Sequence, residues 1–118
     1  MTMVDQGSPT KLVMMVVSDT DADELMAALV ERGIPATKVG SSGGFLRRGN
    51  VTIFSGVEES AVDNVLGIVN EICPARTELV PVQTLPFIGD TAFSAEPIEV
   101  RAGGAIVFVL NVDRFQRI

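Results

Sequence analysis

A chain of 118 residues has room for one hydrophobic core, and its 47% apolar content against 20% charged residues argues for a single folded domain and excludes wholesale disorder. A net charge of −6 excludes a broad cationic surface for tracking a long nucleic acid. The chain has no His, Tyr or Trp and a single Cys, so a Ser-His-Asp triad, an imidazole proton shuttle and a disulfide within the chain are all excluded.

The same absences leave a zinc site only Cys73 and carboxylates, so no metal is expected and the default is a protein that is not an enzyme. The expected leader is residues 1–10, a non-periodic mixture of Thr, Gln, Gly, Ser and Pro, followed by one domain over 11–118. With no charged, long-apolar secretory segment the expected location is cytoplasmic. The longest apolar runs, Leu12 to Val17 and Ala105 to Leu110, are six residues each, far below the roughly 20 that span a bilayer, so no membrane insertion is expected.

In chain order, Leu12 to Val17 reads as a central strand buried on both faces, with Met14 and Met15 as core filler. Asp19 to Arg32 reads as a helix: acids crowd its start, Ala22, Leu25, Met26 and Leu29 recur on one face, and Gly33 supplies a left-handed stop. Ile34 to Val39 and Val51 to Val57 read as two strands joined by a long glycine-containing loop. A second helix from about Glu58 to Ile72 carries an apolar stripe of Val62, Val65, Leu66, Val69 and Ile72, and Pro74 ends it. Thr77 to Val82 reads as a strand, then comes a loop from Gln83 to about Ala95 that holds Pro86, Phe87, Gly89 and Phe93. Ile98 to Arg101 and Ala105 to Leu110 read as a hairpin about Gly103-Gly104.

The fold class is therefore α+β, a ferredoxin-like βαββαβ order with an extra C-terminal hairpin. Two helices on one side of such a sheet leave the other side bare. An apolar bare face implies an oligomer of closed symmetry.

One window stands apart. Between Arg32 and Val57 there are four bases, Arg32, Lys38, Arg47 and Arg48, and no acid, whereas the rest of the chain carries five bases against fifteen acids, a balance of −10. The window also holds six of the eleven glycines, which permit close backbone approach and expose N–H donors of the kind that hold phosphates. Gly43-Gly44-Phe45-Leu46-Arg47-Arg48-Gly49-Asn50 sets an aromatic beside a glycine pair, Asn50 has an amide able to pair with a base edge, and Thr37 has a hydroxyl to donate. A solvated turn is also built from glycine and arginine, and no Walker loop or dinucleotide fingerprint is present.

Thr37-Lys38, Gly43 to Arg47, Gly49-Asn50 and Gly56-Val57 recur in an order and spacing, closed by Gly103 to Leu110 and Val112-Asp113-Arg114-Phe115, that closely resembles the PII-like cyclic di-AMP receptor proteins. The likeness runs from Lys11 to the C-terminus. It implies a cytoplasmic homotrimer of PII-like ferredoxin-fold subunits, related to the nitrogen-regulatory PII proteins. Such a trimer would hold one cyclic dinucleotide in each cleft between subunits and signal to a protein target that the chain does not name. It also implies a T-loop, about Val39 to Asn50, and an enlarged B-loop, about Gln83 to Ala95, that respond to ligand.

Carried over by position, Thr37, Phe45, Leu46, Asn50, Gly56 and Phe108 fall on ligand-contacting positions of that family. Phe45 and Phe108 would pack on adenine, Thr37 and Asn50 would bond its edge, and the backbone at Gly43, Gly44 and Leu46 would approach closely. By themselves Phe108 and Leu46 read first as ordinary core residues. Gly33 and Pro35 stand where relatives present polar or basic side chains, and Arg117 where a near-terminal Gln is familiar. Arg48 and Arg117 are the candidate phosphate contacts. No cofactor beyond the ligand cyclic di-AMP is implied. The alternative left open is a PII-like binder of another adenine nucleotide such as ATP or ADP.

Overall fold

The computed structural model describes residues 8–40, 49–80 and 97–118. Chain order is β1 (Lys11–Ser18), α1 (Asp19–Glu31), β2 (Thr37–Val39), β3 (Asn50–Val57), a 3-10 turn (Glu59–Ala61), α2 (Val62–Ile72), β4 (Arg76–Val80), β5 (Ile98–Ala102) and β6 (Ala105–Asn111). The part of the predicted strand at 81–82, the B-loop at 83–95 and the leader residues 1–7 lie outside the described residues.

The first helix starts and stops as its sequence dictates. Ser18 is extended and its hydroxyl accepts the Thr20 N–H at 3.2 Å, satisfying one orphan donor of the first turn, while Asp19 and Asp21 add negative charge at the positive end of the dipole. At the other end Gly33, at φ +77°, lets its N–H reach the Val30 carbonyl at 3.0 Å while the Ile34 N–H reaches Leu29 at 2.9 Å. This is a Schellman stop, and it delivers Ile34 to the core.

Four strands form one antiparallel sheet in the order β2-β3-β1-β6. Residues of β1 alternate: Val13, Met15 and Val17 are buried, and Leu12, Met14 and Val16 are half-buried. The buried set packs with Ile53, with Ala22, Leu25 and Leu29 of α1, and with Val65, Ile68 and Val69 of α2, so both helices lie on one face. Burying each such side chain contributes about 1.5–3 kcal/mol, and this is what holds the layers together. The strand is central, as predicted, but a single chain covers only one of its faces. Its continuous apolar run hid that alternation.

The predicted terminal hairpin is corrected. β5 pairs with β4 as a separate two-stranded ribbon, and β6 crosses into the main sheet beside β1. Gly103 and Gly104 both have positive φ, as a tight hairpin turn requires, but the Gly104 N–H bonds the Cys73 carbonyl at 2.9 Å and redirects the chain between sheets. At Gly103 a side chain would run into the Arg76 guanidinium and the Pro74 carbonyl. Arg76 in turn donates to both oxygens of the buried Asp21 carboxylate at 3.2 and 3.3 Å and to Glu78 at 3.0 Å, pinning the base of the ribbon to the first turn of α1. These carboxylates raise the Arg76 pKa above its ordinary value, chiefly through the hydrogen bond to Asp21 and then that to Glu78.

Pro9 and Thr10, expected to lie in the leader, are joined to the domain. The Thr10 N–H donates to Val57, its carbonyl accepts from Val112, and its hydroxyl accepts the Glu59 N–H at 3.1 Å.

Candidate functional site

Of the residues singled out from sequence, Gly43, Gly44, Phe45, Leu46 and Arg48 lie outside the described residues. Thr37, Asn50, Gly56, Phe108 and Arg117 have defined places.

The sheet register puts Thr37, Asn50, Gly56 and Phe108 on one face, opposite the helices. Thr37 pairs with Phe54, Phe54 with Met14 and Met14 with Phe108, so Thr37 and Phe108 end one row across all four strands. With neighbouring strands about 4.8 Å apart, that row separates them by roughly 14 Å. Asn50 and Gly56 sit at opposite ends of β3, six residues and so about 20 Å apart. One copy of the chain therefore aligns these residues on a surface without converging them on a point.

That surface is apolar. Beside the half-buried Leu12, Met14, Val16 and Phe54 stand Ile106, Phe108 and Leu110, all exposed, Phe108 at 53%. Phe108 is thus an exposed residue of an edge strand, not a member of the buried core.

A second set does converge. Below the end of β3 opens a cleft of about 620 Å³, walled by Gly33, Pro35, Gly56, Glu58, Phe115 and Arg117. Its floor is set by local hydrogen bonding: the buried Ser55 hydroxyl donates to the Pro35 carbonyl at 2.5 Å, tying the segment before β2 to β3. Gly56 packs closely, since a Cβ there would stand 3.2 Å from Cβ of Pro9, which would have to yield slightly. The Arg117 guanidinium carbon lies 5.9 Å from the centre of the Phe115 ring, a cation held over an aromatic face. Gly56, from the carried-over set, thus shares one cleft with all three departures, Gly33, Pro35 and Arg117, the last of them also a candidate phosphate contact. Volume and lining suit part of a nucleotide: a mostly apolar lining with one cation, Arg117, and one carboxylate, Glu58.

Phe115, Glu58 and Pro9 were not selected from sequence as site residues. Their only signal is proximity to motifs: Phe115 closes the Val112-Asp113-Arg114-Phe115 block, but nothing in a linear reading places that block against Gly33.

Cys73 belongs elsewhere, in a smaller cleft of about 330 Å³ between α2 and β6. Burial first, then the nearby Asp21 carboxylate, pushes its thiol up to about 11, so it is neutral and a poor nucleophile at pH 7. Among the described residues no three of His, Cys, Asp and Glu are grouped to hold a metal ion, and no helix there is long and apolar enough to cross a membrane.

With this geometry in place, comparison with known families is decisive. A family model described as cyclic-di-AMP receptor matches residues 10–118. The chain belongs to the cyclic-di-AMP receptor family, which is PII-like. The match starts at Thr10, the first of the described residues hydrogen-bonded to the sheet, and it takes in the whole cleft except Pro9. Among solved structures, the crystal structure of a functionally unknown protein from Pediococcus pentosaceus ATCC 25745 is similar, at 38% identity and a TM-score of 0.71. The similarity covers 95% of this chain and 100% of that one. The receptor family's mixed α/β architecture, antiparallel sheets with two helices, is that of a small ferredoxin-like domain.

Proposed function

We propose that this chain is a non-enzymatic, cytoplasmic signal sensor that binds cyclic di-AMP between subunits of a homotrimer. On binding, its T-loop and B-loop rearrange and so change how a protein partner is engaged. The family match over residues 10–118 carries the reading.

Three features support it. Thr37 and Phe108 sit at opposite edges of one apolar sheet row, so a second copy laid against the sheet is the simplest way to bring them to one ligand. The bare apolar face gives that copy a reason to bind. Arg117, and Arg48 from the cationic window, supply guanidinium groups for the phosphates, while Phe45, Leu46, Asn50 and the Gly43-Gly44 backbone complete the nucleotide contacts. For such a sensor to signal, the ligand must prefer one loop arrangement over another.

Isothermal titration against cyclic di-AMP, cyclic di-GMP, ATP and ADP tests the ligand. Heat is expected with cyclic di-AMP. No heat with it at high micromolar protein, together with clear ATP binding, would overturn the proposal in favour of another adenine nucleotide, a reading that the unfunctionalised Gly33 and Pro35 floor makes specific. Mass measurement in solution tests the assembly, and a monodisperse monomer would overturn the trimer.

A further inference from the structure

We propose that Phe115 is an additional base-stacking platform and specificity residue of the nucleotide site, and that the same ring holds Arg117 ready for a phosphate; this rests on the ligand reading above. Phe115 lies among neither the residues carried over by the resemblance nor the buried core. It is 45% exposed although fully apolar, and it forms a wall of the 620 Å³ cleft that also contains Gly56.

A large aromatic left half in water at the wall of a cleft is where a flat heterocycle gains most by entering, because every base offers a π face. Two other residues that line the cleft favour the same occupant. Gly33 and Pro35 bring no hydrogen-bonding side chain, Gly33 leaves open space, and Pro35 has its carbonyl occupied by Ser55. At these two positions the side chains can contribute shape and packing but no edge hydrogen bond.

Arg117 supplies the second half of the argument. Its guanidinium stands over the Phe115 ring at 5.9 Å, so part of the entropy of ordering a long side chain is met before ligand arrives. With Arg117 over one face of the ring, a base takes the other, and the guanidinium on the same cleft is available to a phosphate. The carboxylate of Glu58, on the same cleft, disfavours a phosphate placed beside it. The arrangement orders the ligand as base inward and phosphate toward Arg117.

Because the chain has no Trp and no Tyr, Phe115→Trp installs a unique fluorophore at the proposed contact. Titration with cyclic di-AMP is expected to quench it saturably, with the same midpoint as calorimetry. Phe115→Ala is expected to weaken binding about 5- to 100-fold, the range for losing one stacked base, with an unchanged melting temperature. Heat from the wild type but no quenching of the Trp variant, or wild-type affinity in Phe115→Ala, would overturn the platform and leave the ligand reading standing. If the wild type gives no heat with cyclic di-AMP, the ligand reading falls; quenching by ATP or ADP would then keep Phe115 as a purine platform, and no quenching by any purine nucleotide would overturn both.

Discussion

Two glycines make the residue-scale physics plain, because they carry opposite signs. Gly103 is held at φ +73° with no room for a side chain beside Arg76 and Pro74, whereas Gly67, inside α2, has a helical neighbourhood and nothing within 4 Å of where a methyl group would stand. Gly103→Ala is expected to lower stability by about 1–2 kcal/mol or more, from the left-handed strain plus the collision. Gly67→Ala is expected to raise it by about 0.5–1 kcal/mol, the helix-propensity difference. Urea midpoints at one fixed protomer concentration check both, the concentration being fixed because the proposed assembly would contribute to apparent stability. Two shifts of the same sign would contradict the structural assignment.

Cys73 gives a pH-dependent counterpart. Its thiol is 3% exposed and is pushed from an ordinary 9.0 up to about 11 by burial, with the Asp21 charge adding to it. Between those values the unfolded chain has lost the proton and the folded one has kept it, so unfolding releases a proton and stability falls as pH rises. The contribution is complete below pH 9 and is lost through about pH 11, with a slope of at most about 1.4 kcal/mol per pH unit for one proton. Stability measured against pH in Cys73→Ala is expected to lose this component, whatever the mutation does to the baseline. An unchanged slope between pH 9 and 11 would show that another group is responsible.

At the scale of elements, the clearest signals were those written in adjacent residues. The acidic first turn, the apolar face and the Gly33 stop made α1 legible, and its range came out within one residue of the expectation; the Ser18 cap emerged only with the structure. Ser18→Ala is expected to cost about 0.5–2 kcal/mol, and Ser18→Asp to recover most of it, because a carboxylate can also accept the Thr20 N–H. Thermal melts of the two variants are the check, and equal losses would place the effect in β1 packing rather than in the cap. What could not be read was partner choice between strands. Gly103-Gly104 carries the local conformation of a hairpin, but its outcome depends on Gly104 bonding Cys73, thirty-one residues away in the chain, and on Arg76 reaching Asp21. The cleft was illegible for the same reason: Gly33, Gly56 and Phe115 come from three distant segments, and only the β1 register draws them to one end of the sheet. The charge of Arg117 was visible in the sequence, but the aromatic support beneath it was not.

For the whole molecule, the objection that a negative net charge raises to a phosphate-bearing partner becomes local, since the acids that make the total −6 lie outside the 32–57 window. A small anionic ligand fits such a chain where a long polyanion does not. In the proposed oligomer the sheet then sets how copies would cooperate. Thr37 and Phe108 are separated by three strand spacings, roughly 14 Å, on one apolar face, so the proposed site draws Thr37 from one copy and Phe108 from its neighbour. Complementation between inactive chains tests this directly. Thr37→Ala and Phe108→Leu homo-oligomers are each expected to bind cyclic di-AMP poorly. Co-refolded in equal amounts, they form mixed rings in which a cleft is intact whenever an unaltered Thr37 faces an unaltered Phe108, roughly one quarter of clefts by random assembly in a closed ring. Calorimetry is expected to recover about that fraction of the wild-type stoichiometry at near wild-type affinity. Recovery of none would place both residues in a site built within a single chain, because then every chain in the mixture carries one defect and no assembly can repair it.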